Sequence, residues 1–133
     1  MKDEFEVDFY LYARNSFSRV RGPKWNDVEE FLMKLRGDTG GVRLRIVPEP
    51  DIGPMNLEVS TDDGFYLLTL LECSESDLTV RSYWDKSKSG MEKKIQIYGD
   101  YWPERQMTKD FDLVVRVFKE FFDIGNVSTE LLN

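Results

Sequence analysis

Residues 4–13 alternate apolar and polar side chains, and this pattern constrains the fold more than any other feature of the chain. A period of two with one apolar face is typical of a half-buried β-strand. One side of the predicted strand carries Phe5, Val7, Phe9, Leu11 and Ala13. The opposite side, which we call the N-terminal ladder, carries Glu4, Glu6, Asp8, Tyr10 and Tyr12. The segment therefore predicts a strand that covers a core with one face only.

Shorter strand patterns follow at residues 42–46, 57–59, 65–73, 78–84 and 94–98. Asp62-Asp63-Gly64, between the second and third of these, is typical of a tight hairpin turn. The third is apolar on both faces, so we place it centrally in the sheet. The Asn, Ser, Gly and Pro residues of segment 14–24 predict a loop, the Gly40-Gly41 pair predicts a turn, and residues 85–92 predict a polar loop.

Two segments have apolar residues at helical spacing. The first spans residues 25–36, with Asn26 as its predicted N-cap. The second spans residues 110–123, with Asp110 as the N-cap and Gly125 just past the end.

These elements predict one α+β domain over residues 1–133, in the order β-α-β-β-β-β-β-α. A length of 133 residues is typical of a single domain. Strands joined by short turns imply a single antiparallel meander sheet of about five to six strands, with two helices packed on one face. The other face is left for water or a partner.

The chain is acidic, with 25 acidic and 18 basic residues and a formal net charge of −7. This balance disfavours nucleic acid and an anionic membrane as partners, because binding either requires a basic surface. The excess serves solubility in many proteins, and the alternative is that it steers the chain toward a basic protein. One cysteine excludes an intramolecular disulfide, and the acidic N-terminal residues are unlike a secretory signal. We therefore expect a cytoplasmic protein.

Most residue types needed for catalysis are missing. Without histidine, the chain cannot build a Ser-His-Asp or Cys-His system or a zinc site with imidazole ligands. Asp100 with Glu104 is a candidate carboxylate pair that matches no known motif. Glu92-Lys93-Lys94 has only a weak similarity to the Glu-x-Lys of metal-dependent nucleases. Cys73 ends an apolar strand and is interpreted as an inert small hydrophobe. We expect no enzymatic activity, no cofactor and no metal site.

The N-terminal ladder is the first candidate for a protein-binding surface, because it combines charge with tyrosine anchors. Its alternative is a solvated strand face whose carboxylates pair with Arg43, Arg45 or Arg81. A second candidate is Asp100-Tyr101-Trp102, two aromatic residues after a turn, although such a tryptophan often folds back onto the core. Asp62-Asp63 is the third candidate.

Several stretches spread over residues 25–127 resemble a known family. They are Trp25-x-x-Val28-Glu29-x-Phe31-Leu32, Gly40-Gly41 into Leu44-x-Ile46, Gly53-Pro54-x-x-Leu57-x-Val59, Gly64-x-Tyr66-Leu67, Gly99-Asp100-x-Trp102 and Phe118-x-x-Phe121-Phe122-x-x-Gly125-x-Val127. The pattern resembles the small α+β immunity proteins of bacterial polymorphic toxin systems, including contact-dependent growth inhibition and Rhs-type systems. The resemblance implies a cytosolic inhibitor that binds a cognate toxin domain and blocks its active site or another essential surface.

The expected partner is a basic toxin domain, such as a nuclease or deaminase. An alternative function is a self-associating adaptor module, since an open sheet face and edge strands favour homodimers. A small-molecule pocket between helices and sheet is a third possibility, though no convergent set of polar residues marks one.

Overall fold

The computed structural model describes residues 4–85, 94–97 and 99–133. Its elements are β1 (Glu4–Leu11), β2 (Ser16–Arg21), α1 (Trp25–Leu35), β3 (Gly40–Val47), β4 (Gly53–Asp62), β5 (Phe65–Cys73), β6 (Leu78–Ser82), β7 (Lys94–Ile97), β8 (Asp100–Pro103), β9 (Met107–Thr108) and α2 (Phe111–Ile124). A short 3₁₀ turn, Glu104–Gln106, joins β8 to β9.

The main sheet is antiparallel, in the strand order β2-β1-β3-β4-β5-β6, and β9 pairs with Tyr66 and Leu67 of β5. The predicted α+β fold with two helices is confirmed. The predicted element order and the single sheet need correction, because β2, β8 and β9 are additional strands and β7 and β8 form a separate hairpin. The polar loop predicted at residues 85–92 lies, except for Asp85, outside the described residues, as do Glu92, Lys93 and Tyr98.

The loop predicted over residues 14–24 was wrong. Residues 16–21 form β2, which pairs with β1 across a turn where Asn15 has a φ of 46°. The strand lies at the edge of the sheet and is mostly exposed. An edge strand that buries little surface needs no apolar face, so the usual sequence signal is weak there.

The predicted turn at Gly40-Gly41 was also wrong, because both residues belong to β3. A Cβ at Gly40 would collide with the backbone of Tyr10, and a Cβ at Gly41 would collide with the Tyr10 phenol. The two glycines therefore serve close approach of β1 to β3.

Helix α2 has the predicted ends. The Asp110 carboxylate accepts a hydrogen bond from the Leu113 amide at 3.3 Å, and Gly125 follows the helix with a φ of 71°. Helix α1 starts at Trp25, within the predicted span, but its N-cap is Lys24 and not Asn26. The Asp27 carboxylate accepts a hydrogen bond from the Lys24 amide at 2.9 Å, as the returning half of a capping box does.

The main core lies between the sheet and the two helices. Its fully buried side chains include Val7, Val28, Leu32, Leu44, Leu57, Leu68, Leu70, Val114, Phe118 and Phe121. A second, smaller cluster lies on the opposite face, where Leu67 of β5 packs against Ile97 and Met107. The β7–β8 hairpin thus covers one end of that face.

Segment 126–133 returns to β6 and packs under Arg81. The Arg81 guanidinium donates to the carbonyl oxygens of Val127 and Leu132 and to the Asn126 side chain. It also pairs with Glu72 at 3.3 Å. Val127 and Leu132 are buried, and backbone hydrogen bonds between Ser82 and Asn133 join Arg81 in fixing this segment to the core.

Candidate functional site

The side of the main sheet that faces away from α1 and α2 is the candidate binding site, and we call it the open face. Strand alternation places Glu6, Asp8 and Tyr10 of the N-terminal ladder on this side, since their β1 neighbours Val7, Phe9 and Leu11 are buried in the core under the helices. The β1 register sets Glu6 opposite Arg21 and Arg45. Residues of opposite charge therefore face each other on neighbouring strands.

Glu6 is surrounded by three guanidinium groups. Its Oε2 lies 3.2 Å from Arg21 Nε, its Oε1 lies 3.3 Å from Arg19 Nε, and Arg45 Nη2 donates a short hydrogen bond to Oε1. The hydrogen bond from Arg45 lowers the pKa of Glu6 below its usual value, while burial acts in the opposite direction. Glu6 is therefore an ionised, internally paired carboxylate.

Asp8 is buried and paired in the same way. Arg19 donates to its two oxygens from Nε at 2.7 Å and Nη2 at 3.2 Å, which is a bidentate geometry. Arg45 Nη2 lies 3.7 Å from the same carboxylate. The acidic side chains that we expected to be exposed on β1 are thus neutralised by arginines of β2 and β3.

Glu58 of β4 is the third carboxylate of this network. Its Oε2 accepts hydrogen bonds from Arg43 Nη2 at 3.1 Å and from the Tyr10 hydroxyl at 3.0 Å. Burial raises the pKa of Tyr10 well above its usual value, and the Glu58 charge adds to the shift. The phenol therefore remains protonated and acts as a donor.

The charges of the open face are arranged in two layers. The carboxylate layer, consisting of Glu6, Asp8 and Glu58, has side chains only 5–22% exposed. The arginine layer, consisting of Arg19, Arg21, Arg43 and Arg45, has side chains 30–84% exposed. A partner that meets these strands therefore encounters guanidinium groups first.

Three depressions of the open face meet at Arg43. The first, about 400 Å³, is bordered by Tyr10, Tyr12 and Phe17. The second, about 480 Å³, extends over β4–β6 toward the hairpin. The third, about 360 Å³, lies between Arg45 and Glu49.

The remaining predicted residues lie at the margins of this face. The Glu4 backbone pairs with Val47, and the Tyr12 side chain is 55% exposed with its ring 5.4 Å from that of Tyr10. Asp62 ends β4, and Asp63 is exposed in the following turn.

The hairpin separates the two predicted aromatic residues. Trp102 is partly buried and packs against the second cluster, as the alternative interpretation expected. Tyr101 is 66% exposed, and Asp100 is exposed beside it.

The sequence predictions missed the β2 residues of the site. Phe17, Arg19 and Arg21 point to the open face, opposite Tyr10, Asp8 and Glu6 respectively. These residues recur at every second position, as in a strand, and this was the sequence signal that could have identified them. Arg45 does pair with the ladder as the alternative expected, whereas Arg43 pairs with Glu58 and Arg81 lies on the helix side.

The structure shows no group in the described ranges, residues 4–85, 94–97 and 99–133, of three or more Cys, Asp or Glu side chains that could hold a metal ion. Neither of the helices described there is long and apolar enough to cross a membrane.

Comparison with known proteins finds a family match over almost the whole chain. Residues 6–131 match the model of a family described as a family of unknown function, DUF6911. The chain belongs to this family. The DUF6911 match spans the carboxylate layer, the arginine layer and both helices.

No curated protein matches the chain significantly in sequence. A solved structure, described as the crystal structure of a hypothetical protein from Neisseria gonorrhoeae, is similar with a TM-score of 0.76. The similarity covers 96% of this chain and 91% of that chain at 20% sequence identity. This DUF6911 chain therefore shares its fold with that protein.

Proposed function

We propose that this DUF6911 protein is an immunity protein, a non-enzymatic inhibitor that binds a cognate bacterial toxin domain in the cytosol through its open face. The observation that carries the proposal is a sheet face left uncovered by both helices, with fixed charged side chains and exposed aromatic residues at its rim. The resemblance of residues 25–127 to immunity proteins of polymorphic toxin systems supports the same function.

The open face is suited to protein binding because its side chains are already ordered. Ion pairs hold the arginine layer over the carboxylate layer, so a partner need not immobilise long flexible side chains on contact. Phe17 and Tyr12, which are 60% and 55% exposed, supply aromatic surface beside it. Aromatic and arginine residues contribute most of the binding energy in many interfaces.

The toxin domain is expected to be basic overall, such as a nuclease or a deaminase. The net charge of −7 attracts a basic partner at long range. Arginines neutralise the ladder carboxylates Glu6 and Asp8, so these two residues do not supply the attraction. The acidic residues on the rest of the surface supply it.

The neighbouring gene provides the test. We expect the adjacent upstream reading frame to encode the end of a large secreted protein, whose last domain is toxic when expressed alone. Co-expression of this chain should restore growth, and the two proteins should copurify as a stable complex. A gene neighbourhood of unrelated metabolic enzymes, or a toxic domain that this chain neither binds nor neutralises, would contradict the proposal.

Self-association is the second candidate, and the exposed edge strand β2 favours it. An edge strand offers unpaired backbone groups to a second copy. Light scattering of the purified chain distinguishes self-association from binding to another protein. A stable dimer that loses affinity when Phe17 is replaced supports self-association. A monomer supports a different partner.

A further inference from the structure

The centre of the open face carries an arginine whose donors are only partly used. Arg19 and Arg45 each contact two carboxylates, whereas Arg43 contacts one, Glu58, among the residues that the structure describes. A guanidinium has five N–H donors in a planar fork. Arg43 is 42% exposed and can therefore donate to a further acceptor without breaking its existing pair.

The surroundings of Arg43 restrict what that acceptor belongs to. The depression on one side is lined by Tyr12 and Phe17, and the one on the other side by Leu71 and Val80. An acceptor at Arg43 thus lies between two partly apolar depressions. A protein surface with a carboxylate between apolar side chains matches this arrangement in both charge and polarity.

We infer that the centre of the open face recognises a carboxylate of the partner protein, held by Arg43, with apolar partner side chains in the depressions on either side. The inference rests on the proposed function only in assigning the open face to a protein partner. Phosphate of nucleic acid is the poorer fit, because the carboxylate layer balances most of the arginine charge and the chain is acidic.

A test without the toxin uses three capped tripeptides, acetyl-Trp-Glu-Trp-amide, acetyl-Trp-Lys-Trp-amide and acetyl-Trp-Gln-Trp-amide, and a short oligothymidine. NMR of the arginine Nε–H groups follows each titration. The Glu peptide should shift the Arg43 signal in a saturable way and the Lys and Gln peptides should not. A larger shift with the Lys peptide or with the oligothymidine would overturn the inference. So would the absence of a shift with all four probes.

The second test uses the last domain of the protein encoded upstream as the probe. Removing both charges of the central pair in R43Q/E58Q should weaken binding about tenfold or more, because a buried partner carboxylate loses its donor. R43K should give an intermediate loss, since lysine keeps the charge but not the fork. R116Q, an exposed arginine on α2, is the matched control and should bind like the wild type.

The two tests separate the inference from the proposed function. Unchanged affinity of folded R43Q/E58Q for a toxin domain that does bind would overturn the inference and leave the immunity function standing. Failure of the upstream domain to bind the wild type would contradict the immunity function, while the peptide titration still decides the chemistry of the open face. Circular dichroism of each variant must first show the wild-type fold.

Discussion

At the residue scale, Gly41 makes possible the hydrogen bond on which the middle of the open face depends. The Tyr10 ring lies over the Gly41 backbone, where a Cβ would collide with it. From there its hydroxyl reaches Glu58 on β4, two strands away. Glu58 in turn holds Arg43. The absence of a side chain at Gly41 thus allows Tyr10 and Glu58 to position the Arg43 guanidinium.

We predict that G41A lowers the free energy of unfolding by about 1–3 kcal/mol, as overpacking does in tightly packed sites. The Tyr10 ring must move, and the Glu58 hydrogen bond is lost with it. In a Y10A background the same substitution should cost less, because the ring is absent. Urea denaturation of the four proteins of this cycle measures the coupling. Equal costs in both backgrounds would contradict the role of the ring.

The lowered pKa of Glu6 predicts a pH-dependent contribution to stability. A carboxylate whose folded pKa lies below its unfolded value stabilises the protein above the unfolded pKa, and this contribution is lost as the pH falls through the folded pKa. E6Q should therefore be less stable than the wild type at neutral pH, and the difference should shrink below about pH 4.

Denaturation curves of the wild type and E6Q across this range check the prediction. E30Q is the control, because Glu30 forms an exposed pair with Lys34 on α1. Such pairs contribute little, so E30Q should track the wild type at every pH. A difference between the wild type and E6Q that does not change with pH would contradict the assigned ionisation.

At the element scale, the sequence pattern predicts best the elements that bury one clear apolar face. The alternation of residues 4–13 and the Asp-Gly turn before β5 led to β1, β4 and β5, and helical spacing led to α2 with both ends correct. Strand β2 was missed because its exposed side chains carry no burial signal. The Gly40-Gly41 pair was misread because glycine serves turns and close strand approach equally.

The site was predicted only in part for a related reason. Alternation correctly placed Glu6 and Asp8 on the face away from the helices. Their burial depends on which strands pair with β1 and in which register, and that is non-local information. Arg19 lay within a predicted loop, so the strongest partner of Asp8 could not be identified.

The helix ends give a prediction that compares a correct N-cap with an incorrect one. D110A should destabilise the protein by about 1 kcal/mol, because the first turn of α2 loses a hydrogen-bond acceptor. N26A should have almost no effect, since Asn26 lies inside the first turn of α1 and is not its cap. Thermal denaturation of both variants measures the contrast. A larger loss for N26A would contradict the observed start of α1.

Arg81 contributes four hydrogen bonds to the attachment of segment 126–133, so its removal should be costly. In R81M the buried carbonyl oxygens of Val127 and Leu132 lose their donor, and we expect a loss of about 2 kcal/mol or more. R116M on the exposed side of α2 should be close to neutral. Hydrogen exchange at Val127 and Leu132 should rise in R81M alone. A wild-type stability for R81M would show that apolar packing and the backbone hydrogen bonds between Ser82 and Asn133 hold the segment without Arg81.

At the scale of the whole molecule, the acidic excess lies outside the two charged layers. The four guanidinium groups of the arginine layer outnumber the three carboxylates of the carboxylate layer, although the chain carries a net charge of −7. The remaining surface therefore generates the field that a distant partner experiences. Reversing Glu6 and Asp8 would disrupt the sheet rather than test this field.

A better test of the field reverses three exposed acidic residues, Glu75, Asp77 and Glu130, to lysine. For a basic toxin domain, association at low salt should slow by about tenfold or more, while dissociation changes little, because distant charges act on encounter. Added salt should remove the difference between the variant and the wild type. Stopped-flow or surface-based kinetics provide both rates. An unchanged association rate would contradict long-range steering.

The burial of the carboxylates beneath the arginines has a consequence for partner selection. Within a Debye length, about 8 Å at physiological salt, the overall charge of an approaching protein decides whether it is attracted or repelled. At contact it meets guanidinium groups whose remaining donors require acceptors, and a partner without acceptors leaves those donors desolvated and unsatisfied. Under the proposed function, we expect an acidic protein to be repelled during approach and a uniformly basic one to lack the acceptor that Arg43 needs at contact. The partner that we propose, a basic protein with a local acidic site, meets both requirements.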